Sequence, residues 1–474
     1  MIFTVENLGI IEKAEVDLSK DLILLCGQNN TGKSFLAYGI YHFLTLSHDY
    51  YSMMSTELFP PSLVDYIEQK IKGLRSNLTM TINLSKFLAH FDFKETANHL
   101  IAKYYLLDLD KFFAFSNENA FSSTQIALDF SEAEIIEQIE STSFKKSFYY
   151  FYGQKLTKTS VTLAKYKQSM NLIFKFESVV SSLDACELEK LTRIVLRKLG
   201  ATLFEMLFHF NAYIAPAERS AINIFSQELS LPKNKTFDSF LKYHKEGKEI
   251  RDLVRRHTNR YSQPIQDNLE IAAQLVTLSK VTSDFSYLAD ELEQNILKGK
   301  IRISKTGEVN YIPDHAPEQN LGVHLTASLV KSLSNLVFYF RHLAKAGDYI
   351  IIDEPELNLH PDNQTLIARF LGRLINEGFK IITSTHSNYI IREINNLIML
   401  TQPSEKTADL IKKYGYMTNQ LINPTQIAGY LFKNNHSCPQ SIEITEMGLG
   451  IETIDQVVTE LNKSSQEIYL SLFN

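Results

Sequence analysis

Three groups of residues in this chain could do chemistry, and they lie far apart in the sequence. The first is Gly27-Gln28-Asn29-Asn30-Thr31-Gly32-Lys33-Ser34, which fits GxxxxGK[ST] without a gap. A loop so spelled turns sharply enough to aim its backbone N–H groups at an anion. Glycines at its ends allow the turn, Lys33 can reach β- and γ-phosphate oxygens, and the Ser34 hydroxyl can ligate Mg²⁺. The second group is Asp353-Glu354, which closes the apolar run of DYIIIDE. An apolar strand ending in two acids places both at the carboxyl edge of a parallel sheet, where ligands bind in such folds. There Asp353 would hold Mg²⁺, directly or through water, and Glu354 would orient and deprotonate an attacking water. The third group is Ser384-Thr385-His386, at the tip of KIITSTH. From that place His386 can reach a γ-phosphate as a hydrogen-bond donor.

Each group also has a bland reading. The loop pattern arises by chance, paired acids occur in surface turns, and a lone histidine is usually packed or solvated. The flanking elements decide for chemistry. Leu22–Cys26 reads as a strand and the residues from Ser34 as a helix, whose positive dipole end would face the same anion. A helix over roughly Ala327–Ala346 leads to the acidic strand, and another over roughly Asp362–Glu377 leads to the histidine strand. Strands alternating with helices imply a parallel sheet, so the halves of one nucleotide site come from opposite ends of the chain.

The intervening sequence has other textures. TMTINL and NLIFKF look like strands among aromatic-rich helices, and CELEKLTRIVLRKLGATLFEMLFHF is an amphipathic helix with Leu188, Leu191, Val195 and Leu199 on one face. A short strand, NAYIAPAERS, follows. From about 222 to 299 the pattern is mostly helical, and KYHKEGKEIRDLVRRHTNR within it carries seven Lys or Arg against three acids. Such a run is either a solvated helix face or a contact for nucleic acid or an acidic partner. GKIRISKTGEVNYIP reads as a hairpin turning at Thr306-Gly307. The tail holds a strand or two and a final helix with Ile454, Val457, Val458 and Leu461 on one face, a stripe that suits core packing or a partner.

Composition narrows the class. The 474 residues exceed one ordinary core, and 44% apolar with 22% charged residues suits a globular protein. A net charge of −6 argues against a protein that coats nucleic acid over its whole surface, though not against a local basic patch. Cys26, Cys186 and Cys438 form no CxxC pair and no zinc-spaced cluster, so buried thiols in a reducing setting and no structural metal are expected. The N-terminus shows no secretory pattern, and no apolar stretch nears the roughly 20 residues that cross a bilayer. A cytoplasmic protein with no membrane partner is the expectation.

Taken together, the phosphate loop, DEPELNLHP and THS resemble the ABC-type ATPases of the OLD/RecF/SMC-like group over residues 1–46 and about 320–400. The resemblance implies an α/β P-loop NTPase head of ABC type, split in sequence, with a mixed and then largely helical insertion ending in a short coiled-coil-like arm. The expected division is 1–46 with 301–474 as head and C-terminal closing unit, 47–221 as a mixed α/β insertion completing the head, and 222–300 as a basic helical arm. ATP and Mg²⁺ are the implied cofactors. In this group two heads sandwich ATP, and each signature motif contacts the nucleotide held by the other head. Its counterpart here is HLTASLVKSLSNL, where Ala327 and Ser328 replace the usual glycines. Ser328 could present its hydroxyl and N–H to a γ-phosphate, with Lys331 adding charge, or Ser328 could simply cap the helix. The D-loop would be Leu357–His360, and no Q-loop is distinguishable. Tyr213–Ser220 also resembles a segment of these proteins, with Arg219 a candidate site residue.

Fused OLD nucleases carry a TOPRIM domain after the ATPase, with a Glu and a DxD. No such pattern follows His386, and Asp108 and Asp110, a DxD in a helical region, read as surface acids. The resemblance therefore implies an ATP-driven homo-oligomeric switch, a dimer of heads or larger, that controls a separate effector such as a nuclease or toxin. In plan it resembles the ATPase subunits of anti-phage systems, PARIS first and Septu second. The alternatives are a RecF-like repair ATPase whose basic arm tracks DNA phosphates and, from a different class, a non-catalytic nucleotide-bound scaffold. The paired Glu354 and His386 speak against the scaffold.

Overall fold

The computed structural model describes residues 1–46, 59–74, 78–89, 91–115, 120–152, 157–177, 185–224, 261–434, 436–450 and 463–472. The basic run at 242–260 and the tail residues Ile454, Val457, Val458 and Leu461 lie outside the described residues. The chain divides into two compact units: Met1–Thr4, Phe43–Leu107 and Ile126–Phe210 in one; Val5–His42, Asp108–Gln125 and Asn211–Asn474 in the other.

The second unit is built on a six-stranded sheet. Its strands along the chain are β1 (Leu22–Gly27), β2 (Ala212–Ala215), β3 (Tyr349–Asp353), β4 (Lys380–Thr385), β5 (Ile427–Phe432) and β6 (Gln440–Ile442). Their order is β6-β5-β1-β4-β3-β2, and every neighbouring pair is parallel except β5 with β6. Every residue of β1 and β3 is buried. These strands carry apolar runs, not alternation, because a parallel sheet is covered on both faces. Four helices matter to the site: α1 (Lys33–Leu44), α2 (Ser328–His342), α3 (Pro361–Asn376) and α4 (Asn388–Met399). α2 buries Val330, Leu333, Leu336, Val337 and Phe340 in the core that also holds Ile350, Ile352, Leu371 and Ile381. It ends at His342, short of the expected Ala346, where Leu343 and Ala344 both donate back to the Tyr339 carbonyl and Gly347 turns at φ +78°. This is the expected α/β P-loop fold, with strands from both ends of the chain in one sheet.

The hairpin is as expected, Gly299–Ile303 pairing with Val309–Pro313 around Gly307, whose φ of +88° favours glycine. In the other unit TMTINL and NLIFKF are strands. Thr79–Asn83, Asn171–Phe176, Thr157–Lys165 and Phe144–Tyr152 make an antiparallel sheet in that order. The 24-residue helix Ala185–Phe208 buries Leu191, Val195 and Leu199, and its Phe204 ring lies 5.1 Å from that of Phe93. Two expectations need correction. Only Cys26 is buried; Cys186 and Cys438 are exposed, since neither stands inside an apolar run as Cys26 does. Asp108 and Asp110 are half-buried, not surface acids, because the short helix that Asp108 precedes and Asp110 belongs to packs Leu109 and Phe112 inward. No described helix is long and apolar enough to cross a membrane.

Candidate nucleotide site

The register of the sheet brings the three groups to one edge. Asp353 stands level with Ser384, and Thr385 with Cys26, so β1, β4 and β3 end together. At that edge the chain leaves β1 through Gly27, whose φ is +133°. A Cβ there would sit 2.0 Å from the Phe432 carbonyl oxygen, so only glycine fits. Gln28 to Asn30 are exposed, while Thr31, Gly32 and Lys33 are buried. Asn30 takes φ +61° and Gly32 +96°, the backbone reversals that fold the loop over the start of α1. Thr31 Oγ1 donates to the Gln28 carbonyl at 2.7 Å, and Asn434 N–H donates to Gln28 Oε1 at 3.0 Å, fastening the loop's base. Asn29 lies on its exposed crest.

Lys33 Nζ donates to the Gly27 carbonyl at 3.1 Å and also to that of Gln28. Burial pushes its pKa down, against the pull of Glu354 and Asp353. Ser34 Oγ donates to Asp353 Oδ1 at 3.1 Å, and Ser384 Oγ donates to the same oxygen. A hydroxyl and a carboxylate side by side are hard oxygen donors. They suit Mg²⁺, which takes one or two protein oxygens and fills its shell with water and phosphate. For Tyr38, one turn along α1, burial and then the nearby Asp353 carboxylate push the phenol above its usual range.

Glu354 has a left-handed backbone, φ +51°, unusual for a non-glycine residue. Its N–H donates to Ser384 Oγ at 3.0 Å, which holds the turn on the β4 side. Its carboxylate lies 3.9 Å from His386 Nδ1. Burial, and then the charge of Asp353, raise the Glu354 pKa above the ordinary carboxylate value. His386 is 43% exposed at its side chain. Glu356 was not singled out from sequence, yet it sits at the centre of this group. Its Oε1 accepts from His386 N–H at 2.7 Å and Thr385 Oγ1 at 2.9 Å, and lies 3.2 Å from His386 Nδ1. In sequence Glu356 shows only as a second carboxylate two residues after Glu354, in Glu354-Pro355-Glu356, which does not tell where it points.

Gly27 to Ser34, Asp353, Glu354 and His386 are thus brought together. Ser328 and Lys331 are not joined to them by any hydrogen bond or ion pair among the described residues. Ser328 is exposed at the first position of α2, and the N-cap is Ala327, with no side-chain cap. The capping role considered for Ser328 is therefore incorrect: the helix begins one residue too early for its hydroxyl to cap it. Lys331 is half-buried, and its carbonyl accepts from Asn223 Nδ2 at 2.6 Å. In the segment 357–360, Asn358 has φ +64° and reaches Ser332 Oγ at 3.4 Å, while His360 is exposed.

The family model for the AAA ATPase domain matches residues 1–391. No curated protein sequence matches the chain. Among solved structures, the chain is similar to the Smc head domain with an extended coiled coil bound to the C-terminal domain of ScpA from Pyrococcus furiosus. That match has 11% identity, covers 97% of this chain and 98% of that one, and has a TM-score of 0.30. The SMC head domain from Thermotoga maritima matches with 9% identity, 94% and 98% coverage, and a TM-score of 0.29.

Proposed function

Since the chain belongs to the AAA ATPase domain family, we propose that it binds ATP with Mg²⁺ and hydrolyses it to ADP and phosphate at the sheet edge described above. The observation that carries this reading is the convergence of Ser34, Asp353, Glu354 and His386 from two strand ends and one helix start. In this mechanism the loop N–H groups and Lys33 bind the phosphates, and Ser34 and Asp353 hold the cation. Mg²⁺ when bound neutralises phosphate charge. Glu354 orients the attacking water and takes its proton, and His386 donates a hydrogen bond toward the γ-phosphate.

The test is Glu354→Gln. It keeps the shape and removes the base, so phosphate release should fall roughly 10²–10⁴-fold while ATP still binds. An unchanged rate would remove Glu354 from the mechanism.

We further infer that two or more copies pair through ATP and that the pairing controls a separate effector in anti-phage defence. Exposed Ser328 at the start of α2 supports a contact made in trans. The rival, a DNA-repair ATPase, rests on the basic run at 242–260. Tagged Glu354→Gln protein isolated from cells in ATP separates the two. A stoichiometric second protein supports the effector, whereas nucleic acid alone, lost steeply with salt, supports the rival.

A further inference from the structure

The turn that presents Glu354 is held from below by a residue that touches neither loop nor carboxylate. Arg219 is 0% exposed, so its guanidinium has no access to water. A buried charge costs heavily unless it is fully hydrogen-bonded, and here the bonds go to backbone carbonyls. Nη1 donates to the Asp353 carbonyl at 2.7 Å and to that of Pro216 at 3.1 Å. Nη2 donates to the Glu354 carbonyl at 2.7 Å, and Nε to the Ser332 carbonyl of α2 at 3.2 Å. The Glu354 carbonyl also accepts from Leu357 N–H at 3.0 Å. With its N–H on Ser384, the left-handed peptide at Glu354 is therefore fastened on both sides.

Arg219 does not act alone. Ser220 Oγ lies 2.8 Å from Ser332 Oγ, and Asn223 Nδ2 donates to the Lys331 carbonyl at 2.6 Å and to Ser334 Oγ at 2.9 Å. Residues 216–223 therefore form a strap that binds the first turns of α2 to the end of β3. A planar fork is needed for this. Lysine would keep the charge but could not span four carbonyls.

We propose that Arg219 is the positioning residue of the hydrolytic site, setting the backbone from which Glu354 reaches the water and tying that backbone to the signature helix α2. This rests on the ATPase reading above. The guanidinium touches no nucleotide; it acts through Glu354.

The test uses the full chain and measures steady-state hydrolysis, equilibrium binding of a fluorescent ATP analogue, and thermal melting. Arg219→Lys should lower kcat roughly 10²-fold, the scale of an ångström of misplacement, with nucleotide binding changed less than about threefold. Because the effect runs through Glu354, adding Arg219→Lys to Glu354→Gln should cause no further loss of single-turnover rate. A folded Arg219→Lys protein with wild-type kcat overturns the proposal, as does an equal loss in both backgrounds. If Arg219→Lys does not fold, Asn223→Ala loosens the same strap and leaves the fork in place. It should lower kcat roughly fivefold, the worth of one net hydrogen bond, with binding unchanged, and an unaltered kcat there overturns the proposal. A wild-type protein without ATP hydrolysis would instead sink the ATPase reading.

Discussion

Glu354 and His386 could be found in the sequence because each closes an apolar run, and a strand that ends in a polar residue announces where it points. Glu356 could not be found that way. It lies within a turn, and only the folded register shows that Thr385 and His386 both donate to its Oε1 while its Oε2 is buried without a partner. The sheet alignment of β3 with β4 creates that site, and no local pattern encodes it. Glu356 is 4% exposed at its side chain, so truncation leaves one buried donor, Thr385 Oγ1, and one part-buried donor, the His386 N–H, without their acceptor. Glu356→Ala should therefore cost about 2–4 kcal/mol of stability, from roughly 1–3 per unsatisfied group, read by urea denaturation. Glu356→Gln keeps an acceptor in place and should recover most of that loss. Equal destabilisation by the two would mean that charge, not hydrogen bonding, holds the turn.

At the scale of elements, β1, β3 and β4 were legible as strands because each is a short apolar run next to a helix. The place of β5 was not. Ile427–Phe432 read only as one strand of a closing tail, yet it lies parallel beside β1 from Ile427 opposite Leu22 to Phe432 opposite Gly27. Parallel partners are joined by long crossovers, so their pairing has no local signature. The consequence is specific: the phosphate loop leans on β5 where Gln28 N–H donates to the Phe432 carbonyl at 3.3 Å. Gly27→Ala forces a Cβ to within 2.0 Å of that carbonyl oxygen at a φ of +133°. Backbone cannot yield as a flexible side chain can, so overpacking and strain should together cost about 2–4 kcal/mol and weaken ATP binding. Gly378→Ala is the matched control. It shares a positive φ, +87°, but has nothing within 4 Å of the new Cβ, so about 1 kcal/mol is expected with binding intact. Urea denaturation and analogue titration of both variants check this. Similar losses in the two would show that backbone conformation alone, and not the contact with β5, governs Gly27.

For the molecule as a whole, the joining of both chain ends into one site was readable because the motifs are chemically complementary: a phosphate loop needs a cation-binding acid, and the acid sits at residue 353. The strap from Pro216 to Asn223 was readable only in part: the resemblance of Tyr213–Ser220 marked Arg219 as a candidate, but its role shows only in its being wholly buried. What the assembled site does with a second copy is a question about α2. Its first residue, Ser328, is exposed and its N-terminus has no side-chain cap, so N–H groups there face outward with the positive end of the helix dipole. If that end receives the γ-phosphate of another copy, Glu354→Gln protein, which retains ATP, should at least double its mass on adding nucleotide, read by light scattering. A negative charge at Ser328 would oppose the phosphate while suiting the helix, because acids in a first turn favour it. Ser328→Glu in the Glu354→Gln background should therefore stay at its nucleotide-free mass, melt no earlier, and bind the ATP analogue as before. Association that survives this change would place the contact between copies elsewhere than α2. A mass that never responds to ATP would leave hydrolysis, but not pairing, as the work of this site.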